Sequence, residues 1–187
     1  RIVAITGSAG KTSLKTMLGT LLSSFGSTCF SPKSYNNHYG VPISLSNLEF
    51  NHSYGVFEVG MSKTGEIKNL SRLVKPDIAI ITNVAEAHIE NFSNLKDIAR
   101  AKGEIIDLIK KDGTLVLNRD DNFFEYLNSL ATKKKVKVIS FGLSKRADIS
   151  LVNVKKIKNE KIFKIKVINE IYFLKAKNIN IYNILSS

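Results

Sequence analysis

Cysteine is almost absent. A single thiol, Cys29, in 187 residues rules out an internal disulfide framework and fits a reducing compartment. It lies in a strand-like stretch and reads as a buried structural thiol. No apolar run is long enough to cross a bilayer, and nothing in these residues reads as a signal peptide. There is no internal repeat, no low-complexity segment, and no Ser-His-Asp or Cys-His constellation to carry nucleophilic catalysis. Acidic residues are also scarce, 16 Asp and Glu against 28 Lys and Arg, which leaves a net charge of +12. Much of that excess follows residue 130, in Lys133-Lys134-Lys135, Lys145-Arg146 and Lys155-Lys156. A nucleic-acid surface is one reading. A solvated face is the other, and it is favoured. The lysines alternate with apolar residues in strands, and no aromatics are interleaved to stack bases.

What remains is an ordinary globular composition, 43% hydrophobic and 24% charged, large enough for one substantial core. The chain is organised around Ile2-Val3-Ala4-Ile5-Thr6-Gly7-Ser8-Ala9-Gly10-Lys11-Thr12. An apolar strand runs into a glycine loop, and a helix starts near Thr12. This is a phosphate-binding arrangement: Gly7 and Gly10 permit a sharp turn, and the helix start offers orphan N–H donors and a partial positive charge. Lys11 would reach the terminal phosphates, and the Thr12 hydroxyl would ligate Mg²⁺. The loop is a short variant, Gly-x-x-Gly-Lys-Thr, because Ile5 stands where the longer motif has its first glycine.

Leu14, Met17, Leu18, Leu21 and Leu22 give residues 13–25 one apolar helical face, ended by Gly26. A short strand covers 27–30, and Ser31 to Gly40 reads as a polar loop. Its Asn36 and Asn37 are either turn chemistry or amides facing a polar ligand. Tyr54 to Val59 is a strand whose Glu58 is costly to bury alone. At the carboxyl end, where ligands bind in such sheets, it becomes a credible Mg²⁺ ligand. A helix over 66–74, a strand over 77–82, a helix over 95–110, a strand over 115–117, a short helix over 122–130 and a strand over 136–141 follow. His88 lies just past the 77–82 strand and shares a sheet edge with Lys11, Thr12 and Glu58. Strands alternating with helices imply an α/β fold with a doubly wound, mostly parallel sheet over 1–146. Residues 147–157, 160–168 and 170–176 alternate apolar and polar, which reads as a small antiparallel sheet over 147–177, packed beside the main one. Residues 178–187 resemble the start of a helix. Both ends are expected to belong to a longer chain.

With these residues in view the chain resembles the central ATPase domain of the Mur ligases. The resemblance rests on Thr6 to Thr12, Asn36-Asn37-His38-Tyr39-Gly40-Val41-Pro42, Glu58-Val59-Gly60 with Gly65-Glu66-Ile67, Thr82-Asn83-Val84 with Ala87-His88-Ile89-Glu90, Ala101-Lys102-Gly103-Glu104-Ile105 and Asn118-Arg119-Asp120-Asp121. The second, fourth and fifth of these look most like the D-alanyl-D-alanine-adding branch. The resemblance implies an ADP-forming amide ligase of peptidoglycan precursor synthesis, cytoplasmic and monomeric, using ATP and two Mg²⁺ ions. Its other substrates would be UDP-N-acetylmuramoyl tripeptide and D-alanyl-D-alanine, with no nucleic-acid partner. It implies that Gly7, Ser8, Ala9, Gly10, Lys11, Thr12 and Ser13 hold the phosphates. Thr12 and Glu58 would bind the first Mg²⁺. His88 would serve a second metal together with Lys102, which relatives carbamylate; Lys11, His88 and Lys102 are thus the catalytic set. Asn36 and Asn37 would face the muramoyl peptide, and Asn180 and Asn183 the adenine. The family's histidine before the first of those asparagines is Ile179 here. N- and C-terminal domains, which hold the UDP end and the incoming amine, would lie outside this chain.

Three rivals follow from the same residues. A sister Mur or folylpolyglutamate-type ligase shares the loop and metal residues. A non-catalytic nucleotide- or nucleic-acid-binding module would bind with a steep salt dependence. A P-loop switch or motor would show the longer loop and an Asp in place of Glu58.

Overall fold

Apolar, largely β-branched runs build the centre of the molecule. β1 (Ile2–Thr6), β3 (Tyr54–Glu58) and β4 (Ile78–Ile81) are buried along nearly their whole length, as strands of a parallel sheet covered on both faces must be. The computed structural model describes residues 1–86, 89–157, 160–176 and 181–186, except the side chains at 89, 157, 176, 183 and 184. Within these residues one mixed sheet runs in the order β2 (Thr28–Phe30), β3, β1, β4, β5 (Thr114–Asn118), β6 (Lys137–Gly142), β7 (Ile149–Ile157), β8 (Glu160–Val167) and β9 (Glu170–Ala176). Pairing is parallel from β2 through β7 and antiparallel from β7 to β9.

The pleat decides which helix goes where. Val3 and Ile5 of β1, with Val56 and Ile80, face Leu14 and Leu18 of α1 (Lys11–Leu22). Ala4, Phe57, Ala79, Ile81 and Leu117 face the other way, onto α2 (Gly40–Ser46), α3 (Glu66–Val74), α4 (Leu95–Gly103) and α5 (Phe124–Lys133). A slip of one residue in β1 would exchange these two sets, so the register is strongly specified. α6 (Ile181–Ser186) lies on the α1 side, where Leu185 packs with Phe141, Phe163 and Ile165. The doubly wound α/β expectation is met. Because α1 leaves β1 on one face while α3 and α4 follow β3 and β4 on the other, the carboxyl end of β1 is the switch point where such sheets bind ligands.

Three local outcomes differ from the reading of the sequence. A helix, α2, stands between β2 and β3, just past the polar loop read over Ser31 to Gly40, where the sequence offered no element. The Asn37 side-chain oxygen accepts the Tyr39 and Gly40 N–H groups at 3.1 and 2.8 Å and starts it. Pro42 falls in its first turn, where a missing N–H costs nothing. The helix expected over 95–110 is α only to Gly103, the poorest helix former in the run, and tightens into a 3-10 turn over Glu104–Leu108. The antiparallel strands are present, but they are not a second sheet lying beside the first. β7 hydrogen-bonds in parallel to β6 at Phe141 and Gly142, so the meander continues the main sheet.

Gly19 shows how tightly α1 sits. A Cβ there would lie 2.5 Å from the Phe30 ring. Gly19→Ala is therefore expected to destabilise the intact protein by about 1–3 kcal/mol through overpacking, despite the better helix propensity of alanine. Thermal unfolding of the variant checks this, and an unchanged or raised transition would refute it.

Candidate active site at the switch point

The glycine loop follows β1 directly. Gly7 has φ 146° and Gly10 φ 83°, both in the region that disfavours side chains. At Gly7 a Cβ would lie 1.8 Å from Thr82 Oγ1, so the position admits only glycine on steric grounds as well. Gly10 is the N-cap of α1 and supplies no side-chain cap. The first-turn N–H groups of α1 therefore point out as anion donors. The Lys11 ammonium folds back and donates to Gly7 O at 2.8 Å. Burial lowers its pKa, and the charge of Glu58 opposes that. Ser13 is exposed in the same first turn.

Glu58 ends β3 and is 1% exposed. It survives burial because three donors converge on it. Thr12 Oγ1 donates to Oε2 at 2.9 Å, while Ser34 Oγ and Asn36 Nδ2 donate to Oε1 at 2.9 and 2.7 Å. Thr12 and Ser34 hydroxyls are themselves 3.3 Å apart. A carboxylate flanked by two hydroxyls is an all-oxygen set that suits Mg²⁺, which uses few protein carboxylates and takes its remaining ligands from phosphates and water. Among the described residues no group of three His, Cys, Asp or Glu side chains converges.

Sequence reasoning missed Ser34 and Lys15. Lys15, one turn after Lys11, is wholly buried. Its ammonium donates to Lys33 O at 2.6 Å and Ser31 Oγ at 3.2 Å, fixing the turn that presents Ser34. Burial lowers its pKa. Neither residue carried a signal in the sequence, because a serine in a polar loop and a lysine on a helix are ordinary there. Asn36 packs against Gly60, where a Cβ would lie 2.8 Å from its amide carbon. Asn37 lies beside it, with its side-chain oxygen committed to the α2 start.

Lys102 is 3% exposed near the end of α4. Burial first, and the charge of Lys11 second, lower its pKa to about 7. The following turn is anchored by Glu104, whose two oxygens accept the Gly65 and Lys68 N–H groups at 2.8 and 3.0 Å. That bond ties α3 to the segment carrying Lys102. A cavity of about 570 Å³ is lined by Lys11, Asn36, Asn37, Gly60, Asn69 and Lys102. A second of about 320 Å³ lies across the loop, lined by Gly10, Asn83, Asn118, Asp120 and Tyr182. The two share the glycine loop as their common wall.

The structure thus brings Lys11, Thr12, Glu58, Lys102, Asn36 and Asn37 to one side of the sheet edge. His88 and Asn180 lie outside the described residues. Asn183 falls in α6, but its side chain lies outside them as well; its neighbour Tyr182 borders the second cavity.

The Mur ligase middle domain family matches residues 5–187. The UDP-N-acetylmuramoyl-tripeptide--D-alanyl-D-alanine ligase of Buchnera aphidicola subsp. Baizongia pistaciae is 35% identical over 173 residues, 91% of this chain. The crystal structure of MurF from Acinetobacter baumannii superposes with TM-score 0.90 at 30% identity over the whole chain. MurF from Thermotoga maritima in complex with ADP gives TM-score 0.87 at 27% identity over 99% of it. The chain spans 37% of the length of the Buchnera relative and 40% and 42% of the two crystallised chains. With a family match over nearly all its residues, this chain belongs to the Mur ligase middle-domain family.

Proposed function

We propose that this chain is the ATP-binding middle domain of a cytoplasmic, monomeric ligase that joins D-alanyl-D-alanine to UDP-N-acetylmuramoyl tripeptide, with release of ADP and phosphate. The observation that carries this reading is Glu58, buried at the switch point and caged by Thr12, Ser34 and Asn36 beside the Lys11 ammonium. The names of the relatives supply the substrates. Nothing in the charge pattern calls for a nucleic-acid partner.

Lys11, Gly10 and the first turn of α1 with Thr12 and Ser13 hold the β- and γ-phosphates, on a loop formed by Gly7, Ser8 and Ala9. Adenosine lies on the side of the second cavity, towards the segment of Asn180 and Asn183. The tripeptide enters the larger cavity past Asn36 and Asn37. Its carboxylate attacks the γ-phosphorus, ADP leaves, and an acyl phosphate forms. The dipeptide amine then attacks the acyl carbon, loses a proton, and phosphate departs. Both steps concentrate negative charge on oxygens, which fixed cations stabilise without a protein nucleophile. Glu58, Thr12 and Ser34 would hold Mg²⁺, which would supply part of that positive charge. Lys102, as a carbamate, and His88 would serve a second ion. A carbamate would turn that cation into an oxygen ligand suited to Mg²⁺.

Phosphate release by the full-length enzyme tests the reading, with ATP, Mg²⁺ and UDP-N-acetylmuramoyl tripeptide, with and without D-alanyl-D-alanine. Release dependent on the dipeptide is expected. Release with a single amino acid instead would place the chain in a sister ligase. No turnover with any amine would overturn the ligase function.

A further inference from the structure

The short phosphate loop lacks the first glycine of the longer motif, yet it holds a sharp turn. Its support comes from the segment after β4. Ser8 N–H donates to Asn83 O at 3.0 Å. Ala9 N–H donates to Asn83 Oδ1 at 2.9 Å. Thr82 Oγ1 donates to Ala9 O at 2.6 Å. Ser8 Oγ donates to Ala85 O and accepts Ala85 N–H, both at 2.8 Å. The segment is braced from behind, since Asp121 Oδ2 accepts Val84 N–H at 2.6 Å and Asn118 Nδ2 donates to Thr82 O at 3.3 Å.

We propose that Asn83 is a positioning residue for nucleotide binding, acting through its bonds to the Ser8 and Ala9 amides rather than by holding phosphate itself. A phosphate loop normally works by turning successive amides inward as an anion-binding concavity. Here the Ser8 and Ala9 amides are turned aside to Asn83. The donors left for phosphate are Gly10 and the first turn of α1, and their placement depends on Asn83 keeping the loop apex fixed. The side-chain oxygen does what an extra loop residue does in the longer motif: it sets the direction in which the chain enters the helix. Asp121 and Asn118 line the second cavity together with Asn83, so the same brace joins the phosphate loop to the wall that faces the nucleoside.

This inference rests on the reading of the loop as the ATP phosphate site, and the test separates the two. In the full-length enzyme, amide hydrogen exchange at Ala9 is followed without nucleotide. The affinity for a fluorescent ADP analogue and the KM values for ATP and for the tripeptide substrate are measured for Asn83→Ala, Asn83→Asp and Lys11→Ala. Asn83→Ala is expected to lose Ala9 protection and to weaken nucleotide binding about tenfold, the size of one lost hydrogen bond. KM for ATP should rise with it while KM for the tripeptide stays put. Asn83→Asp retains an acceptor at the same place, so Ala9 protection should persist. Wild-type exchange and affinity in Asn83→Ala, with affinity lost in Lys11→Ala, would overturn the role of Asn83 alone. Equal loss of protection in both Asn83 variants would overturn the acceptor role. Unchanged affinity in Lys11→Ala would overturn the phosphate-loop reading beneath it.

Discussion

Glu58→Ala in the full-length enzyme is expected to lower kcat by about three orders of magnitude, the cost of losing the cation that it would hold against the negative charge that develops in the transition state. Among the described residues the carboxylate is the acidic group on which Thr12, Ser34 and Asn36 converge. Its removal would take away the anchor of the cation and the carboxylate on which two hydroxyls and an amide converge. Glu58→Gln separates the two effects. It keeps the volume and one acceptor oxygen, so folding should be nearly intact, but it removes the charge that holds Mg²⁺. Both variants should shift the Mg²⁺ dependence of turnover to higher concentration, and Lys11→Ala should lose comparable activity at unchanged Mg²⁺ dependence. Turnover of Glu58→Ala within tenfold of the wild type would refute the assignment.

Lys102→Ala is the second large effect, an expected loss of at least a hundredfold, partly restored by added short-chain carboxylates. The argument begins with burial. An ammonium at Lys102 is desolvated and lies in the field of Lys11, and its pKa falls to about 7 from 10.5. Near neutral pH a large fraction is therefore the free amine, which can attack CO₂, release a proton and become a carbamate. That step turns a repulsive pair of cations into an attractive one. The pH dependence has a definite sign. As pH falls through about 7 the amine protonates, so carbamate formation and the activity that depends on it should fall together. For the unmodified protein the folded pKa lies below the unfolded one. Between about 7 and 10.5 the unfolded chain holds the extra proton, and stability rises with pH across that window. Full activity of Lys102→Ala without added carboxylate would end the carbamate idea.

Much of this protein is dictated locally. The run from Ile2 to Thr12 has to be a strand, a turn and a helix, because only glycine tolerates the backbone angles at 7 and 10 and an apolar five-residue run has no other place than a sheet centre. Alternating strand and helix patterns determined the doubly wound sheet for the same reason: each pattern can bury its apolar side only against the other. The acid at the end of an apolar strand marked Glu58 before any contact was known, since a lone carboxylate there needs a partner. α2 was illegible, because its start depends on one asparagine oxygen and its proline is harmless only in a first turn. So was the join between β6 and β7, made by two residue pairs whose register no periodicity encodes. The cage on Glu58 was decided by the tertiary structure alone. Ser34 reaches it because buried Lys15 pins the turn before it, and Asn36 because Gly60 leaves room. The same is true of the glycine loop, whose apex is held by Asn83, a residue more than seventy positions away. Sequence periodicity reports which face of an element is buried; it carries no record of which distant side chain satisfies a given polar atom, and that satisfaction is what shapes the site.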